Sequence, residues 1–396
     1  MEIYKFIQTE KINDFESLKL KLESFPFNLK IKEDPNFQNL FLIHNQETSD
    51  FSIPLVNECN GIILEKDTFK IICYTFNKSL DKLEFDPKLN LNELYVEYAL
   101  EGTLIRLFYY NNCWNICTKK CIDAGKSKWI SNKNFSQLFQ ECINIANINI
   151  IPNLNIECCY SFILTHPENN IVVKYIEPKI FHISTRNMTT LEEINDSIGL
   201  EKVLKNRIEQ KDLPELLNKL FNETSLFYEG YILSDNNYNR QKIKSNMYTF
   251  IRNIWGNTNN RFLKYAELRK NIDMFQTYLY YFPSDKLMFE LYENRIIYLA
   301  KNILETYINR HVAKNITTVP FYFAKIIYKL HGDFFKKKTF TDYNKVMIFL
   351  LDLSPKQLYF VLNNFEKDII SKSNNFYTIV SEANYEETNN NIEMNM

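Results

Sequence analysis

The chain has 396 residues, with 47 basic and 48 acidic side chains and a formal net charge of −1. That balance excludes a globally basic nucleic-acid binder, so any surface for phosphate must be local. No apolar run approaches the ~18 residues of a membrane span and the N-terminus has no charged-then-apolar leader, so we expect a soluble, cytoplasmic protein with no membrane contact. Eight Cys form no CxxC pair, and the reading is reduced thiols rather than a metal site. The length allows two domains, each with its own core. Abundant Asn, Ile and Lys fit an AT-rich genome, viral or protist, and the host cytoplasm if viral.

Ile12 to Ser24 has the spacing of a short amphipathic helix, and Phe41 to Ile43 reads as a strand. Gly61 to Leu64 and Phe69 to Tyr74 read as two strands turning at Lys66-Asp67. Leu94, Val96 and Tyr98 lead into a corner, Ala99-Leu100-Glu101-Gly102, and Thr103 to Tyr110 runs out of it as a strand. Cys113 to Thr118 is a further strand, followed by Lys119-Lys120. A helix is expected over Ser131 to Ala146, capped by Asn132 or Asn134. Phe162 to Leu164 and Ile171 to Tyr175 are expected as strands around a turn containing His166, and Leu191 to Phe221 as helix. Strands follow at Phe227 to Leu233 and around Gln241 to Ser245. Beyond Tyr248 helical spacing takes over, in runs such as Leu287, Leu291, Ile296, Leu299 and Ile303, with Pro320 and Pro355 marking starts.

The chain has seven Gly, and three of them sit in strand-like surroundings as Asn60-Gly61, Glu101-Gly102 and Glu229-Gly230. Shortly after the last comes Lys242-Ile243-Lys244, two lysines on one side of a strand. In this order the motifs resemble the covalent nucleotidyltransferase superfamily, and most of all the bacteriophage RNA ligase 1 family and its large-DNA-virus relatives. The resemblance covers roughly residues 55 to 250 and is most specific for Glu101-Gly102, Glu229-Gly230 and Lys242-x-Lys244. The family's first motif is Lys-x-(Asp/Glu)-Gly, and its Lys position is Ala99 here. Two further departures are Asn60, where the family has Arg, and Ile163, where it has an acidic residue; His166 or Ser161 is a candidate for the polar contact, with a surface-turn His the preferred reading of His166.

The resemblance implies an α+β chain. An N-terminal nucleotidyltransferase domain of ATP-grasp-like antiparallel sheets with helices (1–250) would precede an all-α C-terminal domain (251–382) and a disordered tail (383–396). It implies ATP-dependent sealing of RNA 5′-phosphate and 3′-OH ends through lysyl-AMP and RNA-adenylate intermediates, with ATP, Mg²⁺ or Mn²⁺, and RNA as partners, in a monomer. Ala99 takes the nucleophile's place, so the expectation is a nucleophile-dead Lys-to-Ala variant unable to adenylate itself. A natural pseudo-ligase that binds nucleotide or RNA is the alternative, as are an mRNA-capping guanylyltransferase and a DNA ligase. Lys242 and Lys244 would depress the pKa of such a nucleophile and neutralise the α-phosphate. Nucleotide contacts are expected from Lys78, Glu101, Gly102, Phe162, Glu229, Lys242 and Lys244, and metal contacts from Glu229 and Glu101. In the helical domain Lys336, Lys337 and Lys338, and Arg310-His311, are candidate RNA contacts.

Overall fold

Alternating apolar residues become strands up to residue 244, and helical spacing takes over after it. The computed structural model describes residues 1–81, 89–236, 239–258 and 260–372. It divides into two compact units, Met1–Asn253 and Ile254–Met396. The expected tail 383–396, and 373–382 of the expected helical domain, lie outside the described residues. The chain is α+β: largely antiparallel sheets with helices in the first unit, and helices among the described residues of the second.

The strands are β1 (Lys30–Glu33), β2 (Leu40–His44), β3 (Asn60–Glu65), β4 (Ile71–Cys73), β5 (Leu80–Asp81), β6 (Leu94–Ala99) and β7 (Thr103–Tyr110). They continue as β8 (Cys113–Thr118), β9 (Cys158–Thr165), β10 (Lys179–Asn187), β11 (Glu193–Ile194), β12 (Asn206–Ile208), β13 (Gly230–Ser234) and β14 (Arg240–Lys244). Among the described residues they form three sheets, ordered β1-β2-β3-β4, β11-β10-β9-β7-β8 and β12-β6-β13-β14-β5. The first is apolar on both faces. Phe41, Ile43, Ile62 and Leu64 pack with Leu18 and Leu22 of the helix Phe15–Glu23, while Leu40, Leu42 and Ile63 pack with Phe108, Cys117 and Cys159 of the second sheet.

The third sheet carries the site because its two faces differ. Leu94, Tyr231, Leu233 and Ile243 bury one face under the helix Leu213–Phe221, through Leu213 and Leu220. Side chains alternate along a strand, so Glu97, Ala99, Ile232, Lys242 and Lys244 fall on the opposite face. Burying one face in this way also fixes the register, since a one-residue slip would exchange the two sets.

Two expected elements differ. Ile171 to Tyr175 is not a strand, because the Val172 and Val173 N–H groups donate to the Glu101 carboxylate instead of to a ladder, at 2.8 and 2.7 Å. Leu191 to Phe221 is helical only in its last part, a 3-10 turn at Gln210–Asp212 leading into the α-helix Leu213–Phe221. Ile198 and Leu200 enter the core of the second sheet, and β12 pairs with the edge of β6. Long-range burial and pairing outrank local helical spacing here. The helix expected before residue 146 runs Phe135–Ala146, with Asn134 and Gln137 closing a capping box.

In the second unit, the helix Lys286–Tyr307 buries Phe289, Tyr292, Ile296, Leu299 and Ile303, while Leu287, expected in that stripe, is exposed. Pro320 precedes the helix Phe321–Lys337, and Pro355 begins the helix Pro355–Lys372. Among the described residues no helix is long and apolar enough to cross a membrane.

Candidate nucleotide-binding cavity

A cavity of about 240 Å³ opens between the third sheet and the second. From the third sheet Glu97, Ile232, Arg240 and Lys242 line it. Glu97, Ile232 and Lys242 form one cross-strand row. From the second sheet come Leu104, Ile163 and Ile183. Leu100, Gly102 and Val203 extend this apolar side, and Asn60, Lys78, Lys119 and Glu229 complete the polar side. Four cationic side chains thus stand against two carboxylates, facing an apolar wall. A positive, half-apolar cavity suits a ligand with a flat apolar part and an anionic part.

The ion pairs hold the polar side in place. Lys242 Nζ lies 3.0 Å from Glu229 Oε2. Arg240 pairs with Glu97 and lies 4.7 Å from the Phe76 ring centroid. Lys78 Nζ sits 3.6 Å above the Phe51 ring, within cation–π range. Asn60 Oδ1 is buried in the lining and has no hydrogen-bond partner among the described residues. Such an atom is costly unless a polar group meets it.

Ala99 ends β6 one row further along, opposite Gly230, which in turn faces Lys244. Its carbonyl accepts the Glu229 N–H at 2.7 Å. Ala99 is buried and does not itself line the cavity, but its neighbours Tyr98 and Leu100 do. Gly230 is demanded by this close packing: a Cβ there would lie 2.0 Å from the Ile243 carbonyl oxygen. Gly102 is demanded likewise, since a Cβ would lie 2.6 Å from both Ile163 Cγ2 and the Leu164 carbonyl oxygen. At the Glu101-Gly102 corner β9 therefore approaches too closely for a side chain.

Glu101 does not line the cavity. Its Oε2 accepts the Val172 and Val173 N–H groups, and its Oε1 accepts the Tyr248 hydroxyl at 2.9 Å. With both oxygens so engaged, it ties the 172–173 segment and the helix Asn246–Trp255 to the corner rather than facing a cation. Burial pushes its carboxyl above the ordinary value of 4.5, against the Val173 and Tyr248 hydrogen bonds, with the Glu229 charge adding to the rise. A carboxyl raised in the folded state binds its proton more tightly there than in the unfolded chain, so its contribution is most favourable below 4.5 and declines as pH rises through the raised range. Glu101→Gln keeps an acceptor oxygen and removes that titration. The unfolding midpoint of the unaltered chain is expected to fall relative to Glu101→Gln as pH rises above 4.5. Scanning calorimetry of both proteins that gave a pH-independent difference would contradict this.

Four other expected contact residues fall outside the lining. Phe162 is fully buried in the core of the second sheet, 5.7 Å from Phe139; alternation along β9 turns its neighbour Ile163, not Phe162, into the cavity. His166 is buried, lies 3.1 Å from Glu141 Oε2, and its Nδ1 accepts the Glu168 N–H. Ser161 is fully buried and does not line the cavity. Lys244 shares a strand face with Lys242 but is not in the lining.

Arg106 and Lys119 carry weight that the sequence reading did not give them. Arg106 is buried, and its guanidinium donates to the Gly61 carbonyl and, at 2.6 Å, to the Thr118 carbonyl. It fastens the residues on which Asn60 and Lys119 stand. A run of strand residues containing one Arg was the available signal, since a charge inside a buried strand needs a built partner. In the second unit, Lys336 and Lys338 are exposed. Lys338 caps the helix Phe321–Lys337 in a left-handed conformation, φ 53°, where a cation also complements the helix dipole. Of Lys337 only its place at the end of that helix is described. Arg310 donates to the Ile316 carbonyl, and His311 stacks on His331 at 3.6 Å between centroids.

Comparison with known proteins adds the following. No family model matches the chain. An immediate-early protein ICP-46 homolog of Invertebrate iridescent virus 3 is 24% identical over 302 residues, 69% of this chain and 66% of that protein. An RNA ligase of Rhodothermus phage RM378 is 26% identical over 212 residues, 45% of this chain and 48% of that protein. The chain therefore spans less than two thirds of either relative. Among solved structures, an archaeal ATP-dependent RNA ligase overlaps 62% of this chain and 65% of its own, at 13% identity and a TM-score of 0.43.

Proposed function

We propose that the first unit is an ATP-binding nucleotidyltransferase of the RNA ligase kind, acting on RNA ends. The observation that carries this is the cavity itself, four cations and two carboxylates facing an apolar wall, to which the three motifs contribute Gly102, Glu229 and Lys242. The likeness in sequence to the phage RNA ligase supports the substrate class. The helical second unit speaks against a capping enzyme or a DNA ligase, which the resemblance would give a strand-rich second domain.

In this reading the base lies against Leu104, Ile163 and Ile183, and the phosphates face Lys78, Lys119, Arg240 and Lys242. Of the two carboxylates expected at a metal, Glu229 lines the cavity and would meet a hard divalent cation, while Glu101 lies outside the lining with both oxygens in hydrogen bonds. Such an ion, when bound, would add charge neutralisation at the phosphates. Lys242 would do the same from the protein, held in position by Glu229.

Residue 99 divides the reaction. A methyl group cannot attack the α-phosphate, so the lysyl-AMP step is closed to this chain. The last step needs no such nucleophile: the 3′-hydroxyl oxygen of one strand attacks the 5′-phosphorus of an RNA adenylate, AMP leaves, and the hydroxyl proton is released. The chain is therefore expected to join RNA carrying a preformed 5′-adenylate to a 3′-OH strand without ATP, and to leave 5′-phosphate RNA unjoined with ATP present. Gel analysis of both reactions tests it. Failure to join the preformed adenylate would favour a second reading, a nucleotide-binding protein without joining activity, for which Ala99 is the supporting observation.

A further inference from the structure

The second unit has a groove of about 330 Å³ among the helices Phe321–Lys337, Tyr343–Asp352 and Pro355–Lys372. Two phenylalanines stand in its lining largely bare: Phe321 is 70% exposed and Phe360 is 52% exposed, their rings 6.3 Å apart. Each is spaced four residues from a lining lysine on the same helix face, Phe321 from Lys325 and Phe360 from Lys356. Both lysines are exposed, and the lining holds no carboxylate. A third lysine, Lys329, lies 5.0 Å from the ring of Phe349, which also lines the groove.

We propose that this groove binds an unpaired nucleotide of a single-stranded RNA. The rings stand at 68° to each other, so the base would stack on the face of one and meet the edge of the other, and the flanking phosphates would meet Lys325 and Lys356. Exposed rings interleaved with lysines fit this chemistry, because any base offers a π-face and the backbone offers negative charge beside it. A purely apolar partner would leave the two lysines without a counterpart. A groove of this volume also lies within the roughly 300–1,000 Å³ of small-ligand sites. The naming of RNA, rather than another single-stranded nucleic acid, rests on the function proposed above; the groove itself does not.

The test uses the full chain and an oligonucleotide that is no substrate for joining, a labelled twelve-residue RNA with 5′-OH and 3′-phosphate ends. Fluorescence anisotropy is expected to show binding that weakens roughly tenfold in Phe321→Ala/Phe360→Ala, the loss of about one stacked base. Lys325→Ala/Lys356→Ala is expected to lower the slope of log affinity against log salt by about 0.7 for each phosphate no longer neutralised. Lys5→Ala, an exposed lysine outside both linings, is expected to leave this binding unchanged. Phe360→Trp is expected to keep affinity and to lose part of its tryptophan emission when RNA is added. All these side chains are exposed, and circular dichroism reports whether each variant stays folded. Unchanged affinity in the Phe321→Ala/Phe360→Ala protein, or an unquenched Phe360→Trp protein, would overturn the groove proposal without touching the joining assay. So would a dimer in sedimentation that Phe360→Ala dissociates, since a second copy would then own the face.

Discussion

Lys242→Ala is expected to weaken ATP binding by tenfold to a hundredfold, the largest loss from any single substitution in the cavity lining. Two effects add. A hydrogen bond from a charged donor to phosphate is lost, worth about 1.5–3 kcal/mol. Glu229, whose Oε2 is 3.0 Å from Lys242 Nζ, is left in a confined site beside an anionic ligand. The second effect distinguishes this from the loss of a surface lysine. With divalent cation withheld, Glu229→Gln added to Lys242→Ala removes the orphaned charge and is expected to restore part of the affinity. Isothermal titration of the three proteins with ATP checks it. Equal affinity in the unaltered and Lys242→Ala proteins would remove Lys242 from the site.

Ala99→Lys is expected to turn a protein that takes up no covalent label from ATP into one that does. Position 99 lies on the face of β6 that also carries Glu97, and β13 opposes it with a residue that has no side chain. A lysine there would extend over Gly230 toward the row of Lys242 and Lys244. Neighbouring cations disfavour its charged form and leave more free amine for attack on the α-phosphorus, with pyrophosphate leaving. After incubation with α-labelled ATP and Mg²⁺ and denaturation, label is expected on Ala99→Lys and none on the unaltered chain. Label from GTP in place of ATP would move the protein toward the capping class. Label on the unaltered chain would mean that another side chain is the nucleophile.

The parts of this structure that local pattern specifies were legible in the sequence. Alternation located β6, β7, β9 and β14, and it placed Lys242 and Lys244 on one face with Ile243 on the other. The change from strand to helical spacing near Tyr248 marked the second unit's character. What was not legible depends on partners far apart in the chain. Glu101 is held by Val172, Val173 and Tyr248, which are 71, 72 and 147 residues away, and no local pattern announces such a carboxylate. The same contacts explain why Ile171 to Tyr175, a good strand by composition, is none. Arg106 meets a carbonyl 45 residues upstream, and Arg240 meets Glu97 from 143 residues away. Phe162 was misplaced by one step: the β-strand was right, but which of its two faces meets the cavity is set by the neighbouring sheet. Lys119 stood in plain view as half of a Lys-Lys pair, indistinguishable by sequence from a solvated turn.

Everything proposed for the first unit depends on whether its cavity receives a nucleotide, and calorimetric titration of ATP with Mg²⁺ into the unaltered full chain asks this directly. The expected result is one ATP per chain, with affinity falling as salt rises because cations in the lining meet the phosphates. A titration that stayed flat at millimolar ATP would contradict the nucleotide-binding reading, and with it the function built on it.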